Sequence, residues 1–108
     1  MQYLMLLHSD PEQVEADAYR SYQAIAEEMR EAGILIASDP LAPAAAGRLV
    51  RSRDGETSVT DGPYAETREQ VGGFFLVETD DLATVEGFAA RMPAARVGTV
   101  EIRPIGYD

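Results

Sequence analysis

The sequence contains no cysteine, lysine, asparagine or tryptophan, so all nine of its basic residues are arginines. Without cysteine, the chain cannot form disulfides, thiolate nucleophiles or thiolate metal sites, and without lysine it cannot form a Schiff base. Histidine occurs once, which excludes a metal centre built from several histidines. A histidine with several carboxylates could still hold Mn²⁺ or Fe²⁺, but we expect no metal site, and no cofactor is implied.

Positive charge and long apolar runs are also scarce. The chain has 19 acidic and 9 basic residues and a net charge of −10, a balance that opposes binding to nucleic acid or anionic membranes. The opening apolar run covers only residues 3–7, far short of the roughly 20 residues that a membrane span needs, and it lacks the features of a signal peptide. These absences predict a cytoplasmic protein that binds neither nucleic acid nor membrane.

What the sequence does contain is typical of a small globular protein. Its 108 residues are 45% apolar and 26% charged, which predicts a single domain over residues 1–108. The apolar patterns predict strands at 3–7, 34–37, 73–77 and 99–103, a first helix that Asp10 and Pro11 begin and Gly33 ends, and a second helix from Asp80 or Asp81 to Pro93. The acidic side chains of the first helix, Glu15, Asp17, Glu27, Glu28 and Glu31, are expected to form its solvated face.

A hairpin is predicted around Asp54-Gly55, a pair that suits a two-residue type I′ turn. The turn pairs Arg53 with Glu56, Val50 with Val59, and Arg48 with Asp61. The order β-α-β, hairpin, β-α-β predicts an α+β fold, a split βαβ arrangement with an inserted hairpin and both helices on one face of an antiparallel sheet. The other face would be bare, so we expect a homodimer that packs sheet on sheet.

The segment 61–74 is dense in turn residues and polar groups, and it can be interpreted in two ways. In the structural interpretation, Asp61-Gly62-Pro63 forms a turn, and Arg48 pairs with the Asp61 carboxylate. Thr67 to Gln70 is a capping box that begins a helical turn, and Gly72-Gly73 permits a bulge. As a site, Gly72-Gly73 lets a ligand approach, Arg68 grips an anionic group and Tyr64 stacks or donates its hydroxyl. The candidate ligand-binding residues are Tyr64, Glu66, Arg68, Glu69, Gly72 and Gly73.

The run from Asp61 to Glu69, followed by Gly72-Gly73-Phe74, resembles the hallmark of the DGPF-domain branch of the YCII-related proteins, with Tyr64 where that branch has phenylalanine. The resemblance extends over nearly the whole chain, from the strand at 1–7 to the closing residues 100–104. It implies a ferredoxin-like α+β fold assembled as a dimeric α/β barrel. Some DGPF domains accompany extracytoplasmic-function sigma factors, which suggests a regulatory role.

The resemblance also bears on a catalytic site. The YCII-like group is proposed to use a histidine on the first helix and an aspartate after the second strand. Tyr22 stands at the helix position in this sequence and Asp39 retains the acidic side, so the proposed dyad is not intact. The chain's own histidine, His8, could act as a base if a carboxylate fixed its tautomer, and Asp10, Asp61, Glu66 and Glu69 are candidates for that role.

Three functions therefore remain open. The leading one is a binding protein for an unknown small molecule, with weak general acid/base activity as an extension and a site between the sheet, the first helix and the 61–69 loop. The second is a structural or regulatory dimer module. The third is a lyase or isomerase that uses His8, Tyr22, Asp39 and Asp61 as catalytic groups.

Overall fold

The computed structural model describes residues 1–64 and 67–106. The strands are β1 (Gln2–Ser9), β2 (Leu35–Pro40), β3 (Arg48–Arg53), β4 (Glu56–Asp61), β5 (Gln70–Glu78) and β6 (Gly98–Pro104). The helices are α1 (Ala18–Glu31), α2 (Leu82–Ala90) and α3 (Pro93–Val97), with short 3-10 turns at Pro11–Gln13 and Ala44–Ala46. None of the helices in these two ranges is long and apolar enough to cross a membrane.

Four strands form an antiparallel sheet in the order β2-β5-β1-β6. The apolar run at the start of the chain is therefore a central strand, and every second residue of β1 is buried: Tyr3, Met5 and Leu7. The predicted α+β class with an antiparallel sheet is confirmed. Since alternate residues of a strand point to opposite faces, the sheet has one inner face and one outer face.

The core lies between the inner face of the sheet and the helices. Met5, Met29 and Met92 have no exposed surface, and Phe75 is only 3% exposed. The same cluster contains Val85 and Ala89 of α2 and Ala94 of α3, so all three helices pack on the inner face. Asp81 caps α2 by accepting a hydrogen bond from the Ala83 amide at 3.1 Å, and Pro93 begins α3 after the break that was predicted there.

The outer face of the sheet carries Leu4, Leu6, Phe74 and Leu76, which pair directly across β1 and β5 and stay partly exposed. The chain is 17 Å across in its shortest dimension, as expected for a sheet with helices on one side only. Its radius of gyration is 15.6 Å, against about 13 Å for a compact chain of this length. An uncovered sheet face and an extended hairpin both contribute to this size.

The hairpin of β3 and β4 is a separate two-stranded sheet, and its register is the predicted one. Val50 pairs with Val59, Arg53 with Glu56 and Arg48 with Asp61, whose side chains form an ion pair at 2.9 Å. Asp54 and Gly55 have φ of 52° and 81°, as a type I′ turn requires. Val50 is 66% exposed and Val59 57%, so this hairpin extends into solvent.

The predicted start of the first helix is wrong. Asp10 accepts a hydrogen bond from the Glu12 amide at 2.9 Å and caps only the 3-10 turn at Pro11–Gln13. Val14 then adopts an extended conformation and is half exposed. The helix begins at Ala18, and the segment before it reaches α3, where Glu15 binds Arg96.

Candidate functional site

A cavity of about 510 Å³ lies between α1, α3 and the part of the sheet where β1 and β2 end and β5 begins. This volume is within the usual range for small-molecule sites. The apolar part of its wall includes Leu7, Val14, Ala18, Ala26, Phe74, Phe75, Pro93, Ala94 and Val97. The polar part includes Ser9, Glu15, Tyr19, Tyr22, Gln23, Glu27, Arg30, Ser38 and Asp39.

Tyr22 connects α1 to α3 at this cavity. Its hydroxyl oxygen accepts a hydrogen bond from the Ala94 amide at 2.9 Å, and its ring lies 6.1 Å from that of Phe75. Burial raises the pKa of Tyr22, and the hydrogen bond from Ala94 opposes that shift only in part. The hydroxyl therefore stays protonated at neutral pH. No acceptor for its proton is found among residues 1–64 and 67–106, so the hydroxyl can donate to a ligand.

Glu15 and Arg96 form a second connection beside the first. Two guanidinium nitrogens of Arg96 donate to the two carboxylate oxygens of Glu15, at 2.8 and 2.6 Å. The hydrogen bond from Arg96 lowers the pKa of Glu15. Glu15 was predicted to belong to a solvated acidic face. It lies instead on the cavity wall, and the guanidinium of Arg96 compensates its negative charge.

Asp39 and its neighbour Ser38 border the cavity from the edge strand β2. Ser38 pairs with the buried Phe75 and Asp39 pairs with Phe74, so the two side chains belong to the inner and outer faces respectively. The cavity thus reaches around the free edge of the sheet. Tyr22 and Asp39, the two residues singled out through the family resemblance, border the same cavity.

Gly72 and Gly73 also border this cavity, and they mark a bulge. Leu7 pairs with Gly73 whereas His8 pairs with Val71, so Gly72 is the extra residue in β5. Its carbonyl accepts a hydrogen bond from the Leu41 amide at 2.9 Å. The bulge was one of the two alternatives left open for this pair, and the ligand contact remains a prediction.

His8 lies apart from the cavity, on the outer face of the sheet. Its Nε2 is 2.8 Å from Oε1 of Glu101, and the other oxygen of Glu101 is 2.8 Å from Nε of Arg103. Glu101 was not among the carboxylates predicted to orient His8. No group of three potential metal ligands was found in the described part of the chain. The base role of His8 remains a prediction, with Glu101 as the partner.

The described residues of the 61–69 segment do not border the cavity. Asp61 binds Arg48, and Tyr64 is 81% exposed. Arg68 borders a separate depression of about 360 Å³ that is also lined by Asp10, Pro11, Glu12 and Gln70. The expectation that Asp61, Tyr64 and Arg68 face one pocket with the first helix is therefore not met, and Glu66 lies outside the described residues.

The predicted helical turn at 67–70 is wrong as well. None of these four residues is helical, and Gln70 is the first residue of β5, where it pairs with Ser9. Pairing with the central strand β1 supplies the backbone hydrogen bonds that a single helical turn would otherwise provide. A capping pattern depends only on neighbouring residues, so it cannot predict this pairing with a distant strand.

Comparison with known proteins agrees with this architecture. A profile of the YCII-related domain matches residues 1–106. An uncharacterized protein of Rhizobium meliloti (strain 1021), R00369, is 38% identical over 88 residues, which are 80% of this chain and 71% of that protein. Among solved structures, 5-chloro-2-hydroxyhydroquinone dehydrochlorinase (TftG) from Burkholderia phenoliruptrix AC1100, in complex with 2,5-dihydroxybenzoquinone, is similar with a TM-score of 0.60. The similarity covers 100% of this chain and 96% of that one at 17% identity, which is evidence about the fold alone.

Proposed function

The chain belongs to the YCII-related domain family, and we propose that it binds a small ring-shaped molecule in the cavity between α1, α3 and the sheet. The observation that carries this proposal is the Tyr22 hydroxyl, held by the Ala94 amide and left with a proton to donate. Tyr22 is part of a cavity wall whose surface is otherwise largely apolar. A ligand with a ring and a hydroxyl or carbonyl oxygen satisfies both features.

The similar fold of TftG supports this choice of ligand, since that protein is in complex with an oxygenated ring compound, 2,5-dihydroxybenzoquinone. Any acid/base chemistry at this cavity would use Tyr22 as the proton donor and Asp39 as the base. They are the two catalytic candidates that border it. His8 and Asp61 would play no direct part in such a reaction.

Replacing Tyr22 with phenylalanine tests the binding proposal. We expect Tyr22→Phe to weaken binding of 4-ethylphenol about fivefold, because one hydrogen bond to the ligand is worth about 1 kcal/mol. Binding is measured by isothermal titration calorimetry, at a temperature where thermal unfolding shows the variant to be folded. Tyr64→Phe removes the same atom from the exposed tyrosine of the 61–69 segment and should leave the affinity unchanged. Loss of binding in Tyr64→Phe alone would move the site to that segment.

The finer description of the architecture is also a proposal. The sheet order β2-β5-β1-β6, with α1 and α2 as crossovers, supports a ferredoxin-like fold. The outer face, with Leu4, Leu6, Phe74 and Leu76, supports assembly of two copies into a dimeric α/β barrel. Assignment to the DGPF branch rests on the run from Asp61 to Phe74. A structural or regulatory dimer remains the alternative function.

Charge on the outer face tests the dimer. We expect the wild-type chain to sediment at twice its mass of 11.7 kDa at micromolar concentration, and Leu6→Asp to sediment as a monomer. A buried carboxylate facing an apolar surface loses hydration without a partner. Val50→Asp introduces the same charge on the exposed hairpin and should leave the dimer intact. A wild-type mass of 11.7 kDa would exclude the homodimer.

A further inference from the structure

Some carboxylates around the cavity are paired with arginines and one is not, and this difference indicates which charge a ligand of the cavity would carry. Glu27 is held by Arg30 at 2.6 Å and Glu15 by Arg96. Both arginines are therefore already paired. Asp39, which is exposed, has no ion-pair partner among residues 1–64 and 67–106. A carboxylate or phosphate ligand would find no uncompensated cation on the described wall, whereas a positively charged ligand would find Asp39.

The aromatic residues provide a second, independent observation. Four of the tyrosines and phenylalanines that the structure describes border this cavity: Tyr19 and Tyr22 on α1, the nearly buried Phe75 on the inner face of the sheet, and Phe74 on the outer face, where it pairs with Asp39. The faces of aromatic rings attract organic cations, and clusters of such rings next to a carboxylate are the usual way in which proteins bind substituted ammonium groups. The net charge of −10 adds a field that draws cations towards the protein and repels anions.

We infer that the cavity is selective for small arylalkylamines, with an oxygen substituent at Tyr22 and the ammonium group towards Asp39, at the free edge of the sheet. This inference rests on the proposed function and narrows its ligand class. It also differs from the site suggested by the sequence, in which Arg68 would hold an anionic group. Arg68 borders the separate depression and not this cavity.

A series of three phenols of similar size tests the inference by calorimetry: tyramine is cationic, 4-ethylphenol is neutral and 3-(4-hydroxyphenyl)propionate is anionic. We expect tyramine to bind five to ten times more tightly than 4-ethylphenol, and the propionate to bind most weakly. Asp39→Asn should reduce tyramine binding to the level of 4-ethylphenol and leave 4-ethylphenol itself unchanged. Asp54→Asn, at the tip of the hairpin, is the matched control and should change nothing.

The outcomes separate this inference from the proposal beneath it. If tyramine and 4-ethylphenol bind equally, or the propionate binds best, the selectivity is refuted while binding in the cavity stands. If Asp39→Asn leaves the preference for tyramine intact, Asp39 is not its source and the inference fails. If none of the three phenols binds, the proposed function fails and this inference fails with it.

Discussion

Gly98→Ala is expected to destabilise the protein by about 3 kcal/mol, a large effect for the addition of one methyl group. Gly98 begins β6, and a Cβ atom there would lie 2.0 Å from the carbonyl oxygen of His8 and 3.0 Å from the Cα of Ser9. Both atoms belong to the backbone of β1, so the clash cannot be relieved by turning a side chain. Either β6 moves away from the central strand or the pairing of Ser9 with Gly98 is lost.

Gly87→Ala is the matched control for this prediction. Gly87 lies within α2, and a Cβ atom there would meet nothing within 4 Å. Because alanine has a higher helix propensity than glycine, the same substitution should stabilise the protein by about 0.5–1 kcal/mol. The two variants are compared by urea denaturation. If Gly98→Ala does not lower the midpoint, the close approach of β6 to β1 is wrong.

The contrast between the hairpin and the first helix shows how far local patterns determine this fold. The register of β3 and β4 was predictable because a two-residue turn between adjacent strands fixes every cross-strand pair, including Arg48 with Asp61. The start of α1 was not. A cap at Asp10 and an apolar stripe from Val14 satisfied the local rules, yet none of residues 14–17 is helical, and Glu15 binds a residue that is 81 positions away.

The candidate site was less predictable than the fold. Tyr22 and Asp39 were singled out through a family resemblance, and neither spacing nor composition pointed to them. Ser38 and Glu15 were missed because their contacts with the cavity depend on how distant elements pack. Glu101 could have been found. Alternation along the last strand puts it on the face opposite Val100 and Ile102, and antiparallel pairing of that strand with β1 puts it diagonally across from His8.

These observations give α3 a role that its five residues do not suggest. It is contacted by the Tyr22 hydroxyl of α1 at Ala94 and, from the segment before α1, by the Glu15 carboxylate at Arg96. Glu15, Tyr22 and Ala94 all border the cavity. The cavity wall is therefore built by contacts between parts of the chain that are more than 70 residues apart, and its shape depends on the packing of the core beneath it.

Phe75→Ala is expected to lower the free energy of unfolding by about 3–5 kcal/mol, the usual cost of removing a buried phenylalanine. Phe75 is 3% exposed, pairs with Met5 on the central strand and supports the ring of Tyr22. Phe88→Ala deletes the same atoms from a partly buried position on α2 and should cost much less, about 1 kcal/mol. Chemical denaturation of both variants measures the difference. Equal decreases in the free energy of unfolding would show that Phe75 is not central to this core, and the description of the cavity wall that it forms would be wrong.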